Sequence, residues 1–335
     1  MIQHLAIERF KSILSLSLPC RKVNVFVGAP DTGKTNILEA LYLLSRLGWG
    51  LPLDASLRLS GDVGLEALFY RQFLDRPIQV SLTLDRPPPG LPSTDLRFSA
   101  RLSGAERILE VELLGVATAR IGFGGSWPLG LLDWLRYYIY SSPQGWQYRT
   151  DRLHGSALVA VPHGDNLLYI ARHHQRVFDF LKELVAELGW KLKFDQTHKT
   201  FRLSEVRPDE IVDYNLDLLS DSLKRLFFYG AILLTSENAT LVFDEPDVFA
   251  FPPYPKTLGE MIAADESNQF FLTTHNPYFL AALAEKTPAA QLALFICHRR
   301  EDGSTGARPL DEAEVARVIE LGSSVFFNLD EFGPR

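Results

Sequence analysis

The sequence predicts an α/β fold with a mixed central sheet, an antiparallel β-lobe and a helical lobe. Three observations carry that expectation. The run Val23-Asn24-Val25-Phe26-Val27 ends at a glycine, and residues 34–47 follow with Ile37, Leu38, Leu41 and Leu44 at helical spacing. The apolar runs Leu241-Val242-Phe243 and Phe270-Phe271-Leu272-Thr273 have the length and composition of buried strands. Residues 77–124 instead alternate, as in Ile78-Gln79-Val80-Ser81-Leu82-Thr83-Leu84, which suits an antiparallel sheet with one wet face.

Residues 2–27 read as strands up to Gly28, and the helix over 34–47 is stopped by Gly48. Pro87-Pro88-Pro89-Gly90 breaks the alternating region with a surface loop. Residues 165–189 read as a helix ending near Gly189, residues 191–207 as a two-stranded hairpin, and residues 220–235 as a second long helix. The sequence holds no internal repeat and no sustained heptads, so a folded lobe and not a long coiled coil fills 48–219. A single domain over 1–335 is expected, with 1–48 plus 208–335 forming the core and 49–207 supplying the β-lobe and the helical and hairpin insertion.

Hydrophobic residues make up 46% of the 335 and charged residues 22%, enough for one large core. The net charge of −7 argues against constitutive nucleic-acid binding, which runs on clustered cations. Residues 172–207 are the exception, with eight Lys and Arg (Arg172, Arg176, Lys182, Lys191, Lys193, Lys199, Arg202, Arg207) against five acids, and His173 and His174 beside them. That segment is the candidate for nucleic acid or an acidic partner. Cys20 and Cys297 stand alone, without zinc spacing, which fits a reducing, cytoplasmic setting. Neither a signal peptide nor a membrane span is expected.

Four motifs carry chemistry. Gly28-Ala29-Pro30-Asp31-Thr32-Gly33-Lys34-Thr35 matches G-x-x-x-x-G-K-[ST] between a strand and a helix. Its glycines let backbone N–H groups curl around phosphate, Lys34 supplies a cation, and Thr35 offers a hydroxyl to Mg²⁺. Phe243-Asp244-Glu245-Pro246-Asp247 ends an apolar strand with a carboxylate for the metal, Asp244, and one to polarise water, Glu245. His275, in Thr273-Thr274-His275-Asn276-Pro277, lies one strand–helix–strand step further on. Ser220, in Leu219-Ser220-Asp221-Ser222-Leu223, reads locally as an N-cap.

In this order the motifs resemble the SMC, RecF and OLD-like branch of ABC-type P-loop ATPases. Ile7-Glu8-Arg9-Phe10-Lys11-Ser12 is similar to the branch's opening strand, with Lys11 the best match for its nucleotide-holding cation. Residues 28–41, which run on from the motif through Asn36, are similar to its "GxNGxGKSNLLEAL", with Pro30-Asp31-Thr32 in place of the usual core. Pro162-His163-Gly164-Asp165-Asn166-Leu167 resembles a stretch of standalone members.

The resemblance implies ATP and Mg²⁺ as cofactors and ATP-driven head-to-head homodimers. Lys34, Thr35, Asp244, Glu245 and His275 of one chain would meet the signature residues Ser220 and Ser222 of the other; Ser222 or Asp221 stands where the signature usually has glycine. A glutamine ligand to the metal is also implied, with Gln72 or Gln144 as candidates. The family's business is DNA repair, genome maintenance or defence against phage.

Only 60 residues follow His275, too few for an appended nuclease, so a separate effector such as a nuclease is the expected partner. Asp302, Asp311, Glu312 and Glu314 then read as a solvated face, and the R-x4-H spacing of Arg149 and His154 as chance. A nucleotide-sensing scaffold with little turnover is the alternative. A membrane transporter's ATPase subunit is disfavoured by the long region before Ser220.

Overall fold

The computed structural model describes residues 1–51, 64–88, 91, 93–103, 108–113, 117–121, 132–140, 148–149, 158–248 and 250–333. The chain runs through β1 (Ile2–Phe10), β2 (Ile13–Pro19), β3 (Val23–Val27), α1 (Lys34–Gly48), β4 (Ile78–Leu84), β5 (Asp95–Ser103), β6 (Ile108–Leu113), β7 (Ala117–Ile121) and β8 (Leu135–Tyr138). It continues through α2 (Leu167–His173), α3 (Gln175–Ala186), β9 (Lys191–Asp195), β10 (Thr200–Val206), β11 (Ile211–Asn215), α4 (Asp221–Thr235), β12 (Thr240–Phe243) and α5 (Pro253–Ala264). The last elements are β13 (Gln269–Thr273), α6 (Pro277–Lys286), β14 (Leu292–Arg299), β15 (Thr305–Pro309) and α7 (Glu312–Leu321).

The central sheet has the order β15-β14-β3-β13-β12-β8 and is parallel except for its edge strand β15. β3 is buried along its whole length, so its side chains divide between two cores. Val23, Val25 and Val27 pack towards one, while Phe26 enters the other and stacks on its cross-strand neighbour Phe295 at 4.9 Å. Asn24 is the polar residue in this strand. It is fully buried and satisfied, accepting from the Arg21 N–H and donating to the Phe270 carbonyl.

α1 lies between the central sheet and a second, antiparallel sheet of order β2-β1-β4-β5-β6-β7, touching β8, β12 and β13 on one side and β1 on the other. In β4, Ile78, Val80, Leu82 and Leu84 are buried, and Gln79 and Thr83 are exposed, as the alternation predicts. The other face of the central sheet is covered by α4, α5 and α6, with α2, α3 and the small sheet β11-β10-β9 beyond them. Among the described residues no helix is long and apolar enough to cross a membrane.

Three elements differ from expectation. The two sheets cross the expected segment boundary: β1 and β2 join the β-lobe, whereas β8, from within 49–207, pairs in parallel with β12. The segment 165–189 is two helices, because His174 adopts an extended conformation (φ −109°, ψ 107°) between α2 and α3. The hairpin over 191–207 gains a third strand, β11, paired from Arg202↔Asn215 to Val206↔Ile211. No residue of β11 is fully buried, so it carries no hydrophobic run to announce itself. The acidic tail is also less solvated than its composition suggests. Asp311 and Glu314 form a capping box on α7, and the largely buried Glu314 pairs with Arg308 at 2.8 Å.

Candidate nucleotide-binding site

The parallel strands β3, β12 and β13 deliver their C-terminal ends to one edge of the sheet, where open α/β sheets bind ligands. A cavity of about 500 Å³ opens there. It is lined by Ser12, Pro30, Asp31, Gly33, Lys34, Thr35, Asn36, Glu245, His275 and Arg299.

The loop from β3 to α1 forms its floor. Gly28 and Gly33 are fixed by what surrounds them: a Cβ on Gly28 would collide with the Cys297 carbonyl oxygen, and one on Gly33 with the Thr305 hydroxyl. Gly33 also sits in the left-handed region at φ 87° and forms the N-cap of α1 without a side-chain hydrogen bond. With no acidic residue in its first turn, α1 presents uncapped N–H groups suited to an anion. Asp31 stands where the resembling motif has glycine and adopts that residue's left-handed conformation, at φ 59°. Asp tolerates this region better than most side chains, so the loop keeps its path without glycine. Thr32 closes the turn by donating to the Ala29 carbonyl at 2.9 Å, and Ala29 with Gly28 also accepts from the Lys34 ammonium at 2.8 and 3.0 Å. Burial lowers the Lys34 pKa, opposed by the nearby carboxylates of Glu245, Asp244 and Asp31.

Thr35 Oγ1 donates to Asp244 Oδ1 at 3.2 Å, which places a hydroxyl and a carboxylate oxygen side by side. Both are hard oxygen ligands, the donor set that suits Mg²⁺. Thr273, at the tip of β13, organises both acidic residues through one hydroxyl. It donates to Asp244 Oδ1 at 2.5 Å and accepts the Glu245 N–H at 2.9 Å. Glu245 is held at φ 47°, a costly conformation for glutamate that recurs at functional positions. Its carboxylate meets His275 Nε2 at 3.4 Å. Burial, and then the Lys34 charge, lower the His275 pKa, so the ring is neutral near pH 7. Below them Asp247 is 3% exposed and accepts from Thr274 at 2.8 Å. Burial raises its pKa to about 7.

The remaining candidates lie elsewhere. Lys11 is committed to the buried Glu39 of α1 at 2.7 Å and does not line the cavity. The turn between β1 and β2 that carries it instead contributes Ser12, whose hydroxyl accepts from Asn36 at 2.6 Å and meets Thr305 at 2.7 Å. Gln72 is not among the lining residues, and Gln144 and His154 lie outside the described residues. Ser220 and Ser222 are also absent from this cavity. Ser220 caps α4 by accepting the Leu223 N–H, and Ser222 accepts the Phe251 N–H at 3.1 Å. The Asp221 carboxylate is bonded by Tyr140 at 2.7 Å and Arg225 at 3.0 Å, which offsets the repulsion it would otherwise exert on a phosphate.

Asn166, in the stretch Pro162 to Leu167, closes its own loop with the Ala160 N–H and the Leu158 carbonyl. In the cationic segment 172–207, Lys193 pairs with Asp213 at 3.4 Å, Arg202 with Asp195 at 3.5 Å, and Arg207 with Glu205 and Glu210 at 3.0 Å. Much of the excess charge is thus answered inside the small sheet itself. Sequence reasoning assigned no role to Ser12, Thr273, Thr305 or Arg299. Two of them carried a signal: Ser12 as the last residue of the opening segment Ile7 to Ser12, and Thr273 as the strand-end residue two before His275.

Residues 208–281 match the family model described as "AAA domain, putative AbiEii toxin, Type IV TA system". No curated protein matches the chain. Among solved structures, the chain is similar to an SMC head bound to the C-terminal winged-helix domain of ScpA, at 16% identity and TM-score 0.59, over 94% of this chain and 99% of that one. It is also similar to the SMC head with an extended coiled coil bound to the C-terminal domain of ScpA derived from Pyrococcus furiosus, at 14% identity and TM-score 0.54, over 95% and 98%. The fold is that of an SMC-like P-loop ATPase head.

Proposed function

We propose that the chain binds and hydrolyses Mg²⁺-ATP, and that ATP joins two copies head to head to control a separate partner. The observation that carries this reading is the single cavity in which Lys34, Thr35, Glu245 and His275 converge, with Asp244 bonded to Thr35 at its wall. The triphosphate lies along the first turn of α1, with Lys34 moving from its two carbonyls to the phosphates. Thr35 and Asp244 would hold Mg²⁺, which would supply positive charge against the phosphates. Glu245, oriented through Thr273, takes the proton of the attacking water, and neutral His275 steadies the carboxylate. Ser220 and Ser222 stand away from this cavity, which supports their use by the partner's nucleotide.

The ScpA complexes of the two similar SMC heads support a protein partner for this chain. The effector is expected to act in DNA repair or phage defence. With Ser222 or Asp221 at the glycine position of the signature, the isolated chain should turn over slowly, and addition of its partner or of nucleic acid should raise the rate. The test is phosphate release by the purified chain with Mg²⁺ and with excess chelator. Slow release that stops on chelation is expected; release indifferent to the chelator would remove Thr35 and Asp244 from the mechanism.

A further inference from the structure

We infer that Arg299 is a further nucleotide-binding residue, which holds the phosphate chain of the ATP bound in its own protomer. This deepens the ATP-binding reading above and rests on it. The hairpin β14–β15 is pinned against the phosphate loop. The Cys297 carbonyl presses on Gly28 and the Thr305 hydroxyl on Gly33, so both glycines of the phosphate loop touch this hairpin. Thr305 also donates its N–H to the Ser12 carbonyl at 2.9 Å. Arg299 is the residue directly paired with Thr305 across the hairpin, and it lines the cavity.

Strand alternation then separates two adjacent arginines. Arg299 shares a face with Cys297, whose side chain joins the core around α1, while Ile296 belongs to the opposite core. The neighbouring Arg300 is a brace, donating to the Ser15 carbonyl at 2.8 Å. Arg71 braces the same turn at the Asp302 carbonyl. Arg299 is exposed, and its guanidinium has no hydrogen-bond or ion-pair partner among the described residues.

The cavity's charge makes that cation useful. Among the described lining residues the other permanent cation is Lys34, while Asp31 and Glu245 add negative charge where the polyphosphate must sit. Burial and then the Lys34 charge lower the pKa of His275, which disfavours a further positive charge there. A guanidinium at the rim offsets these carboxylates and can grip phosphate oxygens through two parallel N–H bonds.

The test is calorimetric titration of the full chain with Mg²⁺-ATP, comparing wild type, Arg299→Ala, Arg299→Lys, Arg299→Glu and Lys34→Ala, with melting curves recorded without nucleotide. Arg299→Ala should bind on the order of tenfold more weakly, the loss of one charge-assisted contact. Arg299→Glu should bind more weakly still, Arg299→Lys should fall between alanine and wild type, and melting should be unchanged. Arg299→Ala binding within about threefold of wild type, or Arg299→Glu binding no more weakly than alanine, would overturn the inference. If Lys34→Ala loses binding while Arg299→Ala keeps it, the failure belongs to Arg299 alone. A wild-type chain that binds no ATP overturns both readings.

Discussion

Replacing Lys34 with alanine should abolish measurable ATP binding. In the free protein Lys34 is 5% exposed, and its ammonium rests on the carbonyls of Gly28 and Ala29. Those contacts are short and local, and phosphate oxygens can replace them without moving the backbone. Losing the cation removes at least two charge-assisted hydrogen bonds worth about 1.5–3 kcal/mol each, roughly a hundredfold or more in affinity. The freed carbonyls remain next to the open cavity, so water can satisfy them and the fold should survive. Titration calorimetry with Mg²⁺-ATP, alongside a melting curve, checks this. A folded variant that binds like wild type would end the phosphate-loop assignment.

Glu245→Gln should retain ATP while slowing hydrolysis by about 10²–10⁴-fold, the usual contribution of a positioned general base. The amide keeps the shape of the carboxylate but cannot take a proton. The main-chain anchor to Thr273 does not involve the side chain, so the loop at φ 47° should persist. With hydrolysis blocked, ATP should hold the variant as a dimer, visible as a doubling of mass by light scattering. Unchanged turnover would remove Glu245 from the mechanism and direct attention to His275.

The parts of this site that were legible in the sequence are those whose chemistry demands a fixed local pattern. Gly28, Gly33, Lys34 and Thr35 are readable because a phosphate loop needs those residue types at that spacing, and Asp244 and Glu245 because an apolar strand delivers them. Asp31 looked like a departure, yet its left-handed conformation shows it filling the role of glycine. Lys11 illustrates the opposite case: a plausible cation by position turns out to neutralise Glu39, which lies 28 residues away in sequence. Thr305 and Arg299 were invisible because they reach the loop only through the pairing of β14 with β3, which no local pattern encodes. The parallel place of β8 beside β12 was missed for the same reason, since strand adjacency across about a hundred residues is set by packing.

The central claim is that each active site is shared between two chains. Its most direct measurement mixes two inactive variants. Lys34→Ala cannot bind ATP but still offers Ser220, and Ser220→Arg binds ATP but cannot clamp the partner's nucleotide. Neither should turn over alone. When mixed, one site of each mixed dimer regains Lys34 from one chain and Ser220 from the other, so ATP hydrolysis should return to a fraction of the wild-type rate. Hydrolysis by Ser220→Arg alone at the wild-type rate, or no recovery on mixing two folded variants, would contradict a shared site.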